Sequence, residues 1–285
     1  HNDYKIPNGV HVFGRRYDPF GPANYPAEQK KIREMTAIRD EAIWKAVKGV
    51  KLDLDSADKL TSVLPEVKTN YDAKEGKDGS PRYLYGAEAL SKFTMAPGYK
   101  IDLFASEEEF KELANPVQIS FDNKGRLWVA VMPTYPHWKP GDPKPNDKII
   151  ILEDTNNDGK ADKEIVWADH LQLPLGIEFS PEGVYVSQGT NFVLLKDTDG
   201  DDKADTKEIL LSGFDDHDTH HNHHAFTTDP SGAIYMGEGV FLSNDIETSY
   251  GPVRGTNGGF FRYDISRRKL DRIAQLSIPN PWGIA

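Results

Sequence analysis

This sequence predicts an all-β chain built as a β-propeller, with a helical and irregular extension at its N-terminus. Three observations carry that expectation. Two acidic loops stand 43 residues apart, each between short apolar runs, Ile149 to Leu152 before the first and Phe192 to Leu195 before the second. Three segments share one template: an apolar strand, a polar turn with glycine, then a strand with an aromatic residue. No helices of suitable length separate these strands, which disfavours a parallel sheet. Repeats of roughly 40–50 residues with several strands each are the pattern of propeller blades.

Taken in order, residues 1–26 are rich in Pro, Gly, Asn and Tyr and read as irregular. A helix is expected over 27–48, with Pro26 at its start, Ile32, Met35, Ile43, Ala46 and Val47 near one face, and Gly49 as a stop,. Residues 50–80 are polar, and 74–81 read as a linker. A second short helix is expected over 86–92. The division is therefore an extension over 1–92 and a partial propeller over 93–285. The blade templates are 117–130, 176–187 and 225–237, with corresponding glycines at Gly125, Gly183 and Gly232. A fourth copy begins at Asn280. Three to four blades cannot close a ring, and open sheet edges invite pairing. The expectation is a chain that belongs to a longer polypeptide, or whose open edge other chains cover.

Composition narrows the partners. With 285 residues the chain can bury a real core, and a net charge of −11 argues against nucleic acid,. There is no cysteine, so neither a disulfide framework, a thiolate metal site nor a Cys-x-x-Cys-His haem attachment can form in these residues,. No apolar stretch approaches the ~18–20 residues of a membrane span. The sequence opens at His1, which is expected of a processed or partial chain.

The acidic loops have a specific chemistry. Asp154, Asn156, Asp158 and Asp162 stand at positions 1, 3, 5 and 9 of the first; Asp197, Asp199, Asp201 and Asp205 repeat the pattern in the second. Oxygen side chains at these offsets let a tight loop wrap a hard cation, and calcium takes 6–8 such ligands. Gly159 holds position 6 of the first loop, where the second has Asp202; the second adds Glu208 at position 12. Asp, Asn and Gly are also good turn formers without any ion.

Between residues 215 and 224 lie five of the nine histidines, His217, His220, His221, His223 and His224, just before a blade strand. Close His and Asp residues can act as a base or bind a transition metal, and a histidine in such a loop can also brace neighbouring backbone. Strand alternation would place His221 and His223 on one face and His220 and His224 on the other.

Taken together, Tyr99 to Ala105, Gly125 to Val129, both acidic loops, Asp218 to His221, Gly237 to Gly239 and Tyr250 to Arg254 form a recognisable set. Over 93–285 the chain resembles the bacterial "membrane-bound dehydrogenase" propeller domain abundant in planctomycetes. That domain is similar to soluble quinoprotein glucose and sorbosone dehydrogenases. The resemblance implies a six-bladed, calcium-containing propeller that binds pyrroloquinoline quinone (PQQ) and oxidises a sugar or alcohol. It implies His221 as the base that accepts the substrate hydroxyl proton, and Asn280 as a cofactor contact. Pro279 and Trp282 depart from the family's Arg-Asn-Pro-x-Gly pattern. Arg254 and Arg262, flanking Asn257 to Gly259, either present cations to an anionic cofactor or act as ordinary strand-pairing arginines.

Three functions stay open at this level. One is quinone-dependent oxidation of a carbohydrate or alcohol, with an electron-accepting cytochrome or envelope protein as partner. Another is a calcium-assisted lactonase. The third is a non-catalytic calcium-binding propeller in a cell-envelope assembly. Calcium loops fill best where the ion is plentiful, so an extracytoplasmic location, periplasm or cell surface, is expected.

Overall fold

The computed structural model describes residues 25–64, 84–135, 142–276 and 278–284. The chain divides into two compact units, residues 1–83 with 138–143, and residues 84–137 with 144–285. The expected linker over 74–81 and nearly all of the irregular N-terminal segment lie outside the described residues.

In the first unit, helix α1 (Tyr25–Val47) precedes the short helix α2 (Leu54–Asp58). Asp53 caps α2, its carboxylate accepting from the Ser56 N–H at 3.1 Å,. Polar contacts join the α2 segment to α1. Lys31 Nζ donates to Thr61 Oγ1 at 2.7 Å and to Ser62 O at 2.8 Å, and Arg39 Nη2 donates to Asp58 Oδ2 at 2.6 Å. Ile43, Trp44 and Val47 stay exposed. The apolar face expected on α1 is therefore open, and side-chain polar bonds do the work assigned to it.

The second unit begins with helix α3 (Gly86–Leu90) and continues as strands. The first sheet runs β1 (Pro116–Phe121), β2 (Leu127–Val131), β3 (Asp147–Glu153) and β4 (Lys163–Leu171) in spatial order. The second repeats it with β5 (Ile177–Ser180), β6 (Gly183–Gln188), β7 (Asn191–Lys196) and β8 (Thr206–Ser212). The third is β9 (His224–Thr228), β10 (Ile234–Glu238), β13 (Gly259–Asp264) and β14 (Lys269–Ala274). A hairpin, β11 (Ser243–Ile246) and β12 (Val253–Thr256), is inserted between its second and third strands. Every neighbouring pair is antiparallel.

These are propeller blades, and the packing explains why. The first strands converge: Gln118 of β1 exchanges two 3.0 Å hydrogen bonds with Ile177 of β5, and its Nε2 lies 3.5 Å from Phe226 O of β9. The middle strands are apolar on both sides because each blade is sandwiched. Ile149 and Ile151 enter the cluster shared with Val184, Val193 and Leu195 of the second blade. Ile150 and Leu152 face the other way, onto Phe104, Phe110 and Leu113. Tyr185, Phe192 and Leu194 meet Ile234, Met236 and Phe261 between the second and third blades. Fully burying each such side chain stabilises by roughly 1.5–3 kcal/mol.

Both acidic loops are hairpin tips in the same place, between the third and fourth strands of successive blades. Position 6 takes the left-handed conformation in both, with φ 88° at Gly159 and 63° at Asp202. Asp202 tolerates it without being glycine, and its carboxylate accepts from Arg126 Nη1 at 2.9 Å,. At position 8 each loop docks sideways. The Ala161 N–H donates to Phe104 O at 2.9 Å, and the Ala204 N–H donates to Trp167 O at 2.7 Å.

Arg126 links blades, since it is buried and also donates through Nε to Asp122 Oδ2 at 2.8 Å. Trp128 Nε1 donates to the same oxygen at 3.0 Å. Replacing Arg126 by Ala removes its charge-assisted bonds to Asp122, which keeps Trp128, and to Asp202, and is expected to cost about 2 kcal/mol,. Urea unfolding of Arg126→Ala checks this, and an unchanged midpoint would show that the inter-blade ion pair contributes nothing.

Candidate functional site

The connection from β8 to β9 turns back on itself. Instead of the alternating extended strand expected over 220–224, residues Thr219–His221 form a 3₁₀ turn closed by His221 N–H donating to Asp218 O at 2.9 Å. Only His224 belongs to β9. The physical reason is Asp218, which sits at the cap position and draws both following imidazoles to its carboxylate. Its Oδ1 lies 3.0 Å from His220 Nδ1, and its Oδ2 lies 3.1 Å from His221 Nδ1.

His221 is buried and surrounded by oxygens. Its Nδ1 also faces Val240 O at 3.2 Å, and its Nε2 meets the Asn280 side-chain oxygen. The structure thus brings together two residues that the family resemblance singled out 59 positions apart. Gly239 makes room for the ring: a Cβ there would lie 2.6 Å from His221 Cγ. His220 keeps 42% of its side chain exposed, and its ring centroid is 4.0 Å from that of His221. Burial holds the His220 pKa below its ordinary value against the pull of Asp218, with His221 adding to the lowering. Tyr135 forms a wall, its ring 6.3 Å from His220; burial and the Asp218 charge raise its phenol.

Of the three remaining histidines, His223 and His224 are structural in setting. His223 is fully buried, stacked 3.9 Å from Phe214, and burial with nearby His224 pushes its pKa down to about 3. His224 is buried between the carbonyls of Asn222, at 2.6 Å, and Pro281, with Trp282 4.6 Å away. It therefore braces the 280–282 segment against β9. Asn222 donates to Gly189 O and anchors the turn to the second blade.

Beside this turn lies a buried ionic group that the sequence did not reveal. Glu238 accepts from Asn244 Nδ2 and from Arg272 Nη2, the latter at 3.2 Å. Arg272 Nη2 also donates to Gly258 O at 2.5 Å and Thr256 O at 3.1 Å. Glycine at 255 and 259 leaves the space the guanidinium fills. Burial nevertheless raises the Glu238 pKa to about 7.

The remaining expected site residues are spread out. Arg254 lies on the exposed β11–β12 hairpin with its Nε 2.9 Å from Asp245, and Arg262 sits 3.4 Å from Asp229. With Arg272 held by Glu238, the arginines of this region all face carboxylates, and the histidine turn is flanked by Asp215, Asp216 and Asp218. A quinone bearing several carboxylates does not fit this donor set among the described residues. In the second acidic loop, Asp197, Asp199 and Asp205 bring one carboxylate oxygen each within 4.8 Å of one another. Asp201 is exposed beside them, and Glu208 instead stands in β8 opposite Leu194, where it accepts from Arg268 Nη1 at 2.7 Å. In both loops the oxygens also serve their own backbone. In the first, Asp154 accepts from the N–H groups of Asp158 and Gly159, Asn156 from Asp158, Asp158 from Lys160 and Asp162 from Thr155. In the second, Asp197 accepts from Gly200 and Asp202, Asp199 from Asp201 and Asp205 from Thr198.

Glu238 generates a pH prediction. Its folded pKa, about 7, lies above the ordinary 4.5, so its protonated form is preferred in the fold. The stability it contributes is full below about pH 4.5 and is lost as pH rises through 7. Glu238→Gln should flatten that decline, read as the difference in urea midpoints between pH 5 and pH 8. An identical slope in both proteins would show that Glu238 is not its source.

Comparison with known proteins shows one family, without confirming the dehydrogenase resemblance, and is distant beyond it. No curated protein matches the chain. Among solved structures it is similar to a Trichoderma reesei enzyme of carbohydrate-active family AA12, at 16% identity over 45% of this chain and 31% of that one, with a TM-score of 0.31. It is also similar to XC5397 of Xanthomonas campestris, a gluconolactonase, at 18% identity over 57% of this chain and 50% of that one, with a TM-score of 0.33. The chain thus spans half or less of these proteins. A family described as "Domain of unknown function (DUF7133)" matches residues 86–285, which include all three blades and the histidine turn, and the chain belongs to that family.

Proposed function

We propose that this chain carries the reacting groups of a propeller enzyme that acts on a neutral sugar derivative, with hydrolysis of a sugar lactone as the reaction. One observation carries the reading: a single carboxylate, Asp218, holds two adjacent imidazoles, one buried and one open to solvent. Such a group takes a proton from water or a hydroxyl and later returns it. In lactone hydrolysis the water oxygen bonds to the ring carbonyl carbon, the ring C–O bond breaks, and the proton taken from water goes to the departing alkoxide. The surrounding acidic residues repel anions, so an uncharged cyclic ester suits the site better than a sugar phosphate or acid. Both similar structures are carbohydrate-active by name, which is in keeping with the reading but does not support it at that distance.

A second reading has its own observation. The contact between His221 and Asn280 joins the residues that the dehydrogenase resemblance assigns to proton abstraction and cofactor contact. Oxidation of a sugar hydroxyl follows from it, with His221 taking the hydroxyl proton and a redox cofactor lacking the quinone's several carboxylates taking the hydride, before the electrons pass to a separate acceptor protein outside the cytoplasm.

The two are separated by assaying the full chain for release of acid from δ-lactones and for dye reduction by aldoses and alcohols. Under the first reading, Asp218→Asn and His220→Ala lower lactone kcat/KM by at least ~10²-fold. Lactone turnover that is absent, or untouched by both substitutions, would overturn it.

We also assign calcium to the second acidic loop, on the Asp197, Asp199 and Asp205 oxygens, a set suited to a hard cation,. Calcium at 100 times its Kd should then stabilise the fold by about 2.7 kcal/mol. Thermal unfolding with calcium and with a chelator reads the effect, and Asp199→Asn should diminish it. Identical curves in both conditions would remove calcium from the loop.

A further inference from the structure

We infer that Asp218, His220 and His221 form a binding site for a divalent transition-metal ion of the zinc class, distinct from the oxygen-only loops. The inference deepens the hydrolase reading and rests on the same residues, but its argument comes from the geometry of the nitrogen atoms.

The three side chains each place a ligand atom within 4.8 Å of the others. The His220 and His221 Nδ1 atoms lie 3.0 and 3.1 Å from the two Asp218 carboxylate oxygens. That is slightly inside the ~3.3–3.6 Å edges of a tetrahedron with bonds of about 2.0–2.2 Å, so a small outward movement of these side chains admits the ion. His221 gives the more telling sign. A neutral imidazole has one N–H, yet its two nitrogens face three oxygens: Asp218 Oδ2 and Val240 O at Nδ1, and the Asn280 side chain at Nε2,. With the proton on Nε2 donating to Asn280, the Nδ1 lone pair points at a carboxylate. A cation bound by both removes that conflict, as would a proton on Nδ1 with the Asn280 amide turned nitrogen-inward, and measurement of metal binding separates the two. A metal-bound histidine whose other ring N–H donates to an outer oxygen is the usual arrangement, and Asn280 would supply that oxygen.

The donor set selects the ion. Two imidazoles and one carboxylate suit zinc, iron, nickel or copper, whereas calcium prefers all-oxygen ligands. The site also keeps an opening, because His220 is 42% and Asp218 21% exposed on the side chain. Three protein ligands and an accessible fourth position are the features of a catalytic zinc centre. An ion there would replace the protons shared between Asp218 and the imidazoles. Water would then lose its proton through the ion's charge, and the same ion would polarise the lactone carbonyl.

The test uses the full chain freed of metal by a chelator. Zinc binding is measured by calorimetry, and cobalt is added as a spectroscopic probe of nitrogen and oxygen ligation. The expected result is one zinc lost from His220→Gln, with affinity at least about 100-fold lower, and weakened about 10–100-fold in Asn280→Ala. His170→Ala, at an exposed histidine away from the turn, should bind as the parent does. Because His220 is half open, its variant can fold, and circular dichroism confirms that it does. Absence of zinc binding, or binding unchanged in folded His220→Gln, would overturn the site. Lactone hydrolysis persisting in such metal-free protein would leave the hydrolase reading standing. Tight zinc binding without any lactone turnover would do the reverse.

Discussion

Everything in the second unit depends on sheets that are apolar on both faces. A four-stranded sheet whose middle strands bury Ile149, Ile150, Ile151 and Leu152 to 1% exposure or less cannot leave either side to water. It must be flanked, and the chain supplies the flanks in sequence: the 104–113 segment on one side of the first blade, the second blade on the other, then the third. That order brings the first strands together at Gln118, and with them the β8–β9 connection that carries the histidines. The site is a consequence of the stacking.

The histidine turn then gathers partners from three places in the chain. Asp218 is local. Val240 and Gly239 come from the end of β10, where the missing side chain of Gly239 admits the His221 ring. Asn280 and Pro281 come from beyond the third blade and clasp His221 and His224. Burial keeps His220, His223 and His224 short of protons, so the cluster offers lone pairs near neutral pH,. Those features make it a place for proton transfer or metal ligation and a poor host for anions.

Much of this architecture was readable in advance because it is repetitive. Asp122 and Asp229 start the same Asp-x-x-Gly turn, with Gly125 and Gly232 both near φ 80°, and the two acidic loops end their apolar strands at equivalent places. The site was readable only in part. Clustered histidines announced themselves, but alternation failed over 220–224, where the Asp218 carboxylate competes with strand pairing for local groups. Position 12 of the second loop mattered in a helical calcium loop, whereas in a hairpin it falls within β8, so Glu208 turned to Arg268. Tyr135 and the Glu238–Arg272 pair depend on contacts distant in sequence and left no local pattern. The β11–β12 insertion was missed for a similar reason: its strands are only four residues each.

The Lys-Ala-Asp ending common to both loops has a mechanical meaning. Ala204 joins its hairpin to Trp167 on the outer strand of the preceding blade, and Ala161 joins its own to Phe104. Each tip is thus a rivet through two layers. Whatever stiffens or loosens the second hairpin therefore bears directly on the outer strand of the first blade.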